Sequence, residues 1–179
     1  MGRMIDLIIT SLYFILPAYF ANMMPVFAAK LRLPGGRPVS MKWLGAHKTW
    51  RGLYAGYIGA LIVLAGQWLA AREGLMMDYT ILDYESMGWM IFGYSGLFGF
   101  GALIGDSVKS FFKRRVGVKP GGAWFPFDQI DFVLGAFLFL WPFVEFHWSV
   151  FVIVLFITPG LHFLVNVIAY LVGLKKVWW

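Results

Sequence analysis

Residues 4–29 read MIDLIITSLYFILPAYFANMMPVFAA, and what this stretch is decides the fold. A helix that crosses a bilayer needs about 20 consecutive, mostly apolar residues. This run exceeds that length. Arg3 precedes it and Phe27-Ala28-Ala29 ends it with small residues, so a cleaved secretory signal is the competing reading. A signal core is only about 7–15 residues long. The present run is longer and contains Asn22 and two prolines, Pro17 and Pro25, which favours a permanent first span.

Four further stretches qualify outward from it: 52–71, 87–105, a short one at 130–146, and 148–173. The expected fold class is an all-α integral membrane protein of about five transmembrane helices, one polytopic domain over residues 1–179. Composition agrees. Hydrophobic residues make up 60% and charged residues 13% of the chain, against roughly 45–50% and 25% in a soluble globular domain. Cysteine is absent, which excludes disulfides, Cys-ligated zinc and thiol catalysis. No internal repeat or low-complexity tract is visible.

Five spans place the segments 30–51 and 106–129 and the C-terminal tail on one side of the bilayer. That side holds 13 of the 15 Lys and Arg residues; only Arg3 and Arg72 lie opposite. The positive-inside rule makes the basic side cytoplasmic, with the N-terminus outside and the C-terminus inside. The formal charge of +6 is thus concentrated at one membrane face, and a nucleic-acid partner is not expected. Trp178-Trp179 close behind Lys175-Lys176 suit a membrane–water interface.

The acids sort the other way. Asp6, Glu73, Asp78, Asp83, Glu85 and Glu145 fall outside or near the outer face, and only Asp106, Asp128 and Asp131 fall on the basic side. A carboxylate near hydrocarbon is costly and tends to be paired or metal-bound. In residues 105–131, GDSVKSFFKRRVGVKPGGAWFPFDQID, Asp106, Lys109, Ser110 and Lys113 are spaced to share one face if the helix continues. Lys119-Pro120-Gly121-Gly122 is a turn. Asp128 and Asp131 then share a face at the start of the fourth span, and the hairpin can bring them towards Asp106. Clustered Asp oxygens among Lys and Arg resemble a Mg²⁺ site facing phosphates, with hard oxygens for the metal and cations for the phosphate oxygens.

Plainer readings stand beside this one. Lys113-Arg114-Arg115 can be orienting charge alone, and Asp128 can be a helix N-cap with Asp131 in the first turn. The five glycines from Gly93 to Gly105 point to close helix packing rather than a ligand loop. Before the second span, Gly45-Ala46-His47-Lys48-Thr49-Trp50-Arg51-Gly52 gathers donors where a helix N-terminus adds partial positive charge. It lacks Walker spacing, so an NTPase is excluded. His47 is a candidate general base or an interface histidine, while His147 and His162 have no companion ligands and read as structural. Asn22 can contact nucleotide or lipid glycerol, or bond to a neighbouring helix. A small transporter would place acids near mid-membrane, and an assembly subunit would not need three Asp facing a basic cluster.

The ordered string resembles the signature of the CTP:phosphatidate cytidylyltransferase superfamily. Ser110, Lys113-Arg114 and Lys119 match at the family spacing, and Asp128-Gln129-Ile130-Asp131 matches its end. Pro120 and Gln129 depart from the family's Asp and Arg. The family's Pro-Gly-His-Gly-Gly stretch is missing, with Ala123-Trp124-Phe125-Pro126-Phe127 in its region. The first half, with Pro17-Ala18-Tyr19-x-Ala21-Asn22-Met23-x-Pro25 and the Gly45–Gly52 stretch, is similar to the archaeal CDP-archaeol synthases over nearly the full length. The resemblance implies Mg²⁺-dependent transfer of CMP from CTP to 2,3-di-O-geranylgeranylglycerol 1-phosphate, with release of diphosphate. It also implies roles: Asp106, Asp128 and Asp131 as metal ligands, and Lys113, Arg114 and Lys119, with Lys109 and Ser110, on the triphosphate. Lys48 and Arg51 would take lipid phosphate or CTP, with Asn22 nearby. The prenyl chains would lie in a groove open to lipid, in a multi-pass plasma-membrane enzyme with a cytoplasmic active site. An ester-lipid CDP-diacylglycerol synthase is the alternative within the class.

Overall fold

The computed structural model describes residues 2–40, 48–119 and 122–173. Five helices carry the fold: α1 (Gly2–Lys30), α2 (Trp50–Arg72), α3 (Met90–Arg115), α4 (Phe127–Leu140) and α5 (Trp148–Leu171). A 3-10 turn at Met77–Tyr79 interrupts the segment between α2 and α3. No strand occurs among the described residues, only an isolated bridge between Pro38 and Thr49. Helices α1, α2, α3 and α5 are each long and apolar enough to cross a bilayer, so this is a multi-pass membrane protein.

Two elements differ from the sequence expectation. Helix α3 begins at Met90 rather than residue 87 and runs ten residues past 105, so the basic string 106–115 is helical. No Pro or Gly interrupts it until Gly117, which takes φ +81°. The Gly117 N–H bonds back to the Arg114 carbonyl and the Val118 N–H to the Lys113 carbonyl, closing the helix in a Schellman arrangement. Helix α4 has only 14 residues, about 21 Å at 1.5 Å per residue. It starts before residue 130 and stops at Leu140, because Pro142 has no N–H with which to continue the helical hydrogen bonding. Residues 141–147 are turn and irregular chain.

Neighbouring helices run antiparallel, and their closest approaches are built on glycine. A Cβ on Gly135 would lie 2.1 Å from the Gly101 carbonyl oxygen and 2.8 Å from Gly105 Cα. One on Gly105 would meet the Asp131 carbonyl oxygen at 2.2 Å. The α3–α4 pair therefore packs backbone on backbone, which fixes Asp131 beside the turn that carries Asp106. Gly99 abuts the Tyr57 backbone on α2. Gly93, by contrast, has nothing within 4 Å and makes no such contact. The core between the helices is apolar: Phe14, Ile15, Leu64, Phe98, Phe132, Phe137 and Val154 are all buried. Phe14 meets Phe98 edge-on with centroids 5.5 Å apart.

This connectivity sorts charge by end. Lys30, Arg32, Arg37, Lys48, Arg51, Lys109, Lys113, Arg114, Arg115 and Lys119 lie where α1 and α3 finish and α2 and α4 begin. Asp6, Glu73, Asp78, Asp83, Glu85 and Glu145 lie at the other end. There the α2–α3 connection folds back into the bundle, burying Leu82, Tyr84 and Met87. The Tyr84 hydroxyl donates to Gln67 Oε1 at 2.9 Å, and Gln67 Nε2 donates to the Tyr13 carbonyl at 2.6 Å.

Candidate active site at the basic end

The chain between α1 and α2 turns back on itself before entering the membrane. The Val39 N–H bonds to the Lys48 carbonyl at 2.7 Å and the Trp50 N–H to the Arg37 carbonyl at 3.2 Å. Thr49 then caps α2, its hydroxyl accepting from the Gly52 N–H at 3.2 Å. This brings Lys48 to the mouth of the bundle, where its ammonium pairs with Asp106 of α3. Burial pushes the Lys48 ammonium down to about 8, the nearby Lys109 charge adds to the fall, and Asp131 opposes it. It remains cationic at neutral pH.

Lys109 stands one turn beyond Asp106 on α3. Its Nζ lies 3.2 Å from Asp106 Oδ1, 2.7 Å from Asp128 Oδ1 and 2.9 Å from Asp131 Oδ2. Lys113 spans both Asp128 oxygens, at 2.8 and 2.6 Å. Asp128 Oδ2 also accepts from the Trp124 N–H at 2.5 Å. Pro126, not Asp128, occupies the N-cap of α4, so the helix-cap reading of Asp128 fails and its oxygens are left for cations. Asp131 is 6% exposed. Its Oδ1 accepts from the Phe132 N–H at 2.6 Å, while Oδ2 is buried with no hydrogen-bond donor beyond its ion pair. Three carboxylates from two helices thus converge on one ammonium.

A cavity of about 1320 Å³ opens on this cluster. Lys48, Asp106, Lys109, Lys113, Asp128 and Asp131 form its charged wall. Thr49 and Gly52 bring the N-terminus of α2 to it. Val26, Leu53, Phe100, Ile104, Val108 and Phe112 form an apolar wall, much of it exposed on the outside of the bundle. Asn22, His162 and Asn166 add a polar patch.

Other expected residues are not gathered here. The Arg51 guanidinium turns away from the cavity, donates to the Leu33 carbonyl at 3.0 Å and packs over Gly36. Ser110, Arg114 and Lys119 do not line the cavity, whereas Ser107 does. His47 lies outside the described residues, as does the tail from residue 174. His162, read from sequence as structural, lines the cavity, with Asn166 Nδ2 and His162 Nδ1 3.2 Å apart. The sequence signal was the four-residue spacing of Thr158, His162 and Asn166, a polar stripe on an otherwise apolar helix; Thr158 bonds the Tyr19 hydroxyl at 2.7 Å.

The donor set suits a hard cation, because Asp oxygens are the ligands such ions take and one of them, Asp131 Oδ2, is buried with only the Lys109 ammonium beside it. Among the described residues, however, no three acidic or His side chains stand close enough to form a ready-made metal cage. The ammonium of Lys109 fills the centre.

The family model described as CarS-like CDP-archaeol synthase matches residues 4–179. The chain belongs to the CDP-archaeol synthase family. It is 34% identical over 182 residues to the CDP-archaeol synthase of Methanococcus aeolicus, covering 98% of both chains. It is 38% identical to that of Methanospirillum hungatei, over 92% of this chain and 99% of the relative. In three dimensions it is similar to an intramembrane enzyme for archaeal membrane lipids biosynthesis, with a TM-score of 0.67 and 29% identity over 87% of this chain and 91% of that one. The cavity lies in the part of the chain that the family match covers.

Proposed function

We propose that this chain transfers CMP from CTP to 2,3-di-O-geranylgeranylglycerol 1-phosphate, giving the CDP-activated ether lipid and diphosphate. Its membership of the CDP-archaeol synthase family supports this. The single structural observation that carries the reading is one cavity with a charged wall and an apolar wall. An amphiphilic phosphate needs both surfaces, with its chains against Val26, Phe100, Ile104 and Val108 and its headgroup beside Lys48 and Lys113.

The chemistry needs no activated side chain. A phosphate monoester has a second pKa of about 6, so the lipid phosphate is already a dianion at neutral pH. One of its oxygens forms a bond to the α-phosphorus of CTP while the bond from that phosphorus to the bridging oxygen of the β-phosphate breaks. Diphosphate leaves with the electron pair, and no proton has to move. Catalysis is then alignment and charge stabilisation. Lys113, Lys109 and Lys48 hold phosphate oxygens, and the first N–H groups of α2 add partial positive charge. Arg114, Lys119 and Ser110 serve the nucleotide from the rim, and Arg51 acts by fixing the 33–36 turn beneath Lys48. Asn22 and His162 face the glycerol and its ether oxygens. Mg²⁺ bound by Asp106, Asp128 and Asp131 would supply neutralisation of the triphosphate charge.

The basic end faces the cytoplasm, where CTP is, in a plasma-membrane topology of five crossings with α4 as the short one. A reporter fused after Trp179 should therefore be cytoplasmic; an external reporter would overturn this orientation. Substrate choice is tested by competing the ether-lipid phosphate against dioleoyl phosphatidate at equal concentration. Faster CMP transfer to the ether lipid is expected. Faster transfer to phosphatidate would assign the chain an ester-lipid activity. An apolar wall discriminates by only about 1–3 kcal/mol per methylene-scale difference, so the outcome is a preference rather than exclusion.

A further inference from the structure

Among the described residues, Lys109 pairs with all three carboxylates of the site, at 3.2, 2.7 and 2.9 Å. Lys113 reaches Asp128 and Lys48 reaches Asp106. Three ammonium groups and three carboxylates pair among themselves, with Lys30 and Arg114 adding positive charge nearby. That explains how Asp131 stays buried at the end of a membrane bundle.

The same pairing creates a conflict. A magnesium-like ion needs oxygens at about 2.0–2.1 Å in an octahedron, whereas these oxygens are spread around an ammonium nitrogen at hydrogen-bonding distance. One centre cannot hold both cations, because like charges about 3 Å apart repel strongly outside bulk water. A lysine is a compact charge on a flexible four-carbon stem, so its head can leave the triangle without moving α3. Triphosphate oxygens are the natural place for it to go.

We propose that Lys109 is an internal stand-in for the metal: it fills the carboxylate triangle in the empty enzyme and yields it when metal and nucleotide arrive together. This rests on the cytidylyltransferase reading above and adds an order to it. Metal alone must displace a resident cation and leave it uncompensated. Metal with CTP gives that cation a new anionic partner. Binding of the two is therefore cooperative, and by linkage each raises the affinity for the other by the same factor. Lys109 is a positioning residue in the empty state and a phosphate ligand in the loaded one.

The test uses the full chain in detergent without lipid, with Mn²⁺ as the probe, its free concentration read by electron paramagnetic resonance. In the wild type, Mn²⁺ should bind weakly alone and more tightly with CTP. Lys109→Met should bind Mn²⁺ alone at least about tenfold more tightly, since a unit positive charge beside the ion is gone, and CTP should add less. Lys113→Met, which frees one carboxylate rather than three, should change Mn²⁺ affinity less than Lys109→Met. In chelator, Lys109→Met should melt below the wild type, and the gap should close as Mn²⁺ is added. If Lys109→Met does not purify folded, Lys109→Gln carries the same comparison. A Lys109 variant that binds Mn²⁺ no more tightly than the wild type overturns the proposal. CMP transfer by the wild type is assayed separately. An active wild type with an unmoved variant removes only the role of Lys109, whereas an inactive wild type removes the enzyme reading itself.

Discussion

The two ends of the helix bundle solve the same problem in opposite ways. At the acidic end, the buried amide of Gln67 is consumed by partners inside the protein: it bonds Tyr84 and the Tyr13 carbonyl. The aromatic rings of Trp141, Phe146, Trp148 and Phe151 pack against one another, mostly edge-on, with centroids 4.6–6.3 Å apart, and fill the gap between α4 and α5. At the basic end, seven charged side chains line an open cavity instead, and six of them pair with one another. The closed end stabilises the bundle. The open end holds charge ready for a ligand and gives up some stability to do so, because ions withdrawn from water lose hydration that their pairing only partly restores.

The sharpest way to break this contrast is at the carboxylates. Asp131→Asn and Asp128→Asn should each lower CMP transfer by about 10²–10³-fold or more, the scale for removing a preorganised charge from a reacting site. Circular dichroism and gel filtration in detergent should remain those of the wild type. Normal turnover by both variants would return Asp128 and Asp131 to a purely structural role. A substitution at the crossing beneath them probes support rather than chemistry. Gly135→Val drives a side chain into the Gly101 carbonyl and should destabilise the protein by about 3 kcal/mol, with activity lost as the α3–α4 crossing opens. An unchanged melting curve would mean the two backbones do not approach as described.

Much of this contrast was legible in the sequence, and the reason is that charge and apolar length obey bilayer physics locally. The 13-to-2 division of cations and the isolation of Asp106, Asp128 and Asp131 required only counting. So did the shared face of Asp106, Lys109 and Lys113, because nothing breaks α3 before Gly117. What sequence spacing could not supply was the consequence of tertiary folding. Arg51 looks like a phosphate ligand beside Lys48, yet the returning 33–36 turn captures its guanidinium. Ser107 rather than Ser110 reaches the cavity because the rotation of α3 is set by its glycine contacts with α2 and α4. His162 lacked companions in sequence, but α5 packing brings it to the same cavity as Asp131, which lies on α4. The short α4 was overestimated because an apolar run continues past Pro142 although the helix does not.

Smaller effects sharpen the contrast from the acidic end. Gln67→Leu leaves the buried Tyr84 hydroxyl without its acceptor and should cost about 1–3 kcal/mol of stability. The KM for CTP should stay at the wild-type value, since Gln67 is at the far end from the cavity. A changed KM would show that the two ends are coupled. Smallest of all is Asp83, whose carboxylate accepts from the Ser86 hydroxyl at 2.7 Å and from the Ser86 and Glu85 N–H groups. The Ser86 hydrogen bond holds its pKa below the ordinary carboxylate value. A depressed acid contributes stability that is present above its unfolded pKa and lost as pH falls through the folded one. Asp83→Ala should therefore lower the melting temperature slightly at neutral pH, and the gap should shrink in acid below the ordinary aspartate range. A gap that widens in acid would reverse the sign.

The central claim is that the α-phosphorus of CTP is the centre attacked, with the lipid phosphate as nucleophile in the Asp–Lys cavity. Purified protein should be incubated with Mg²⁺, the unsaturated ether-lipid phosphate and CTP radiolabelled at either the α- or the γ-phosphate. The account predicts that α-label enters the organic phase in a CDP-lipid while γ-label stays in water as diphosphate, and that Asp131→Asn loses both signals. Transfer of γ-label to the lipid, or release of label without any CDP-lipid, would contradict it.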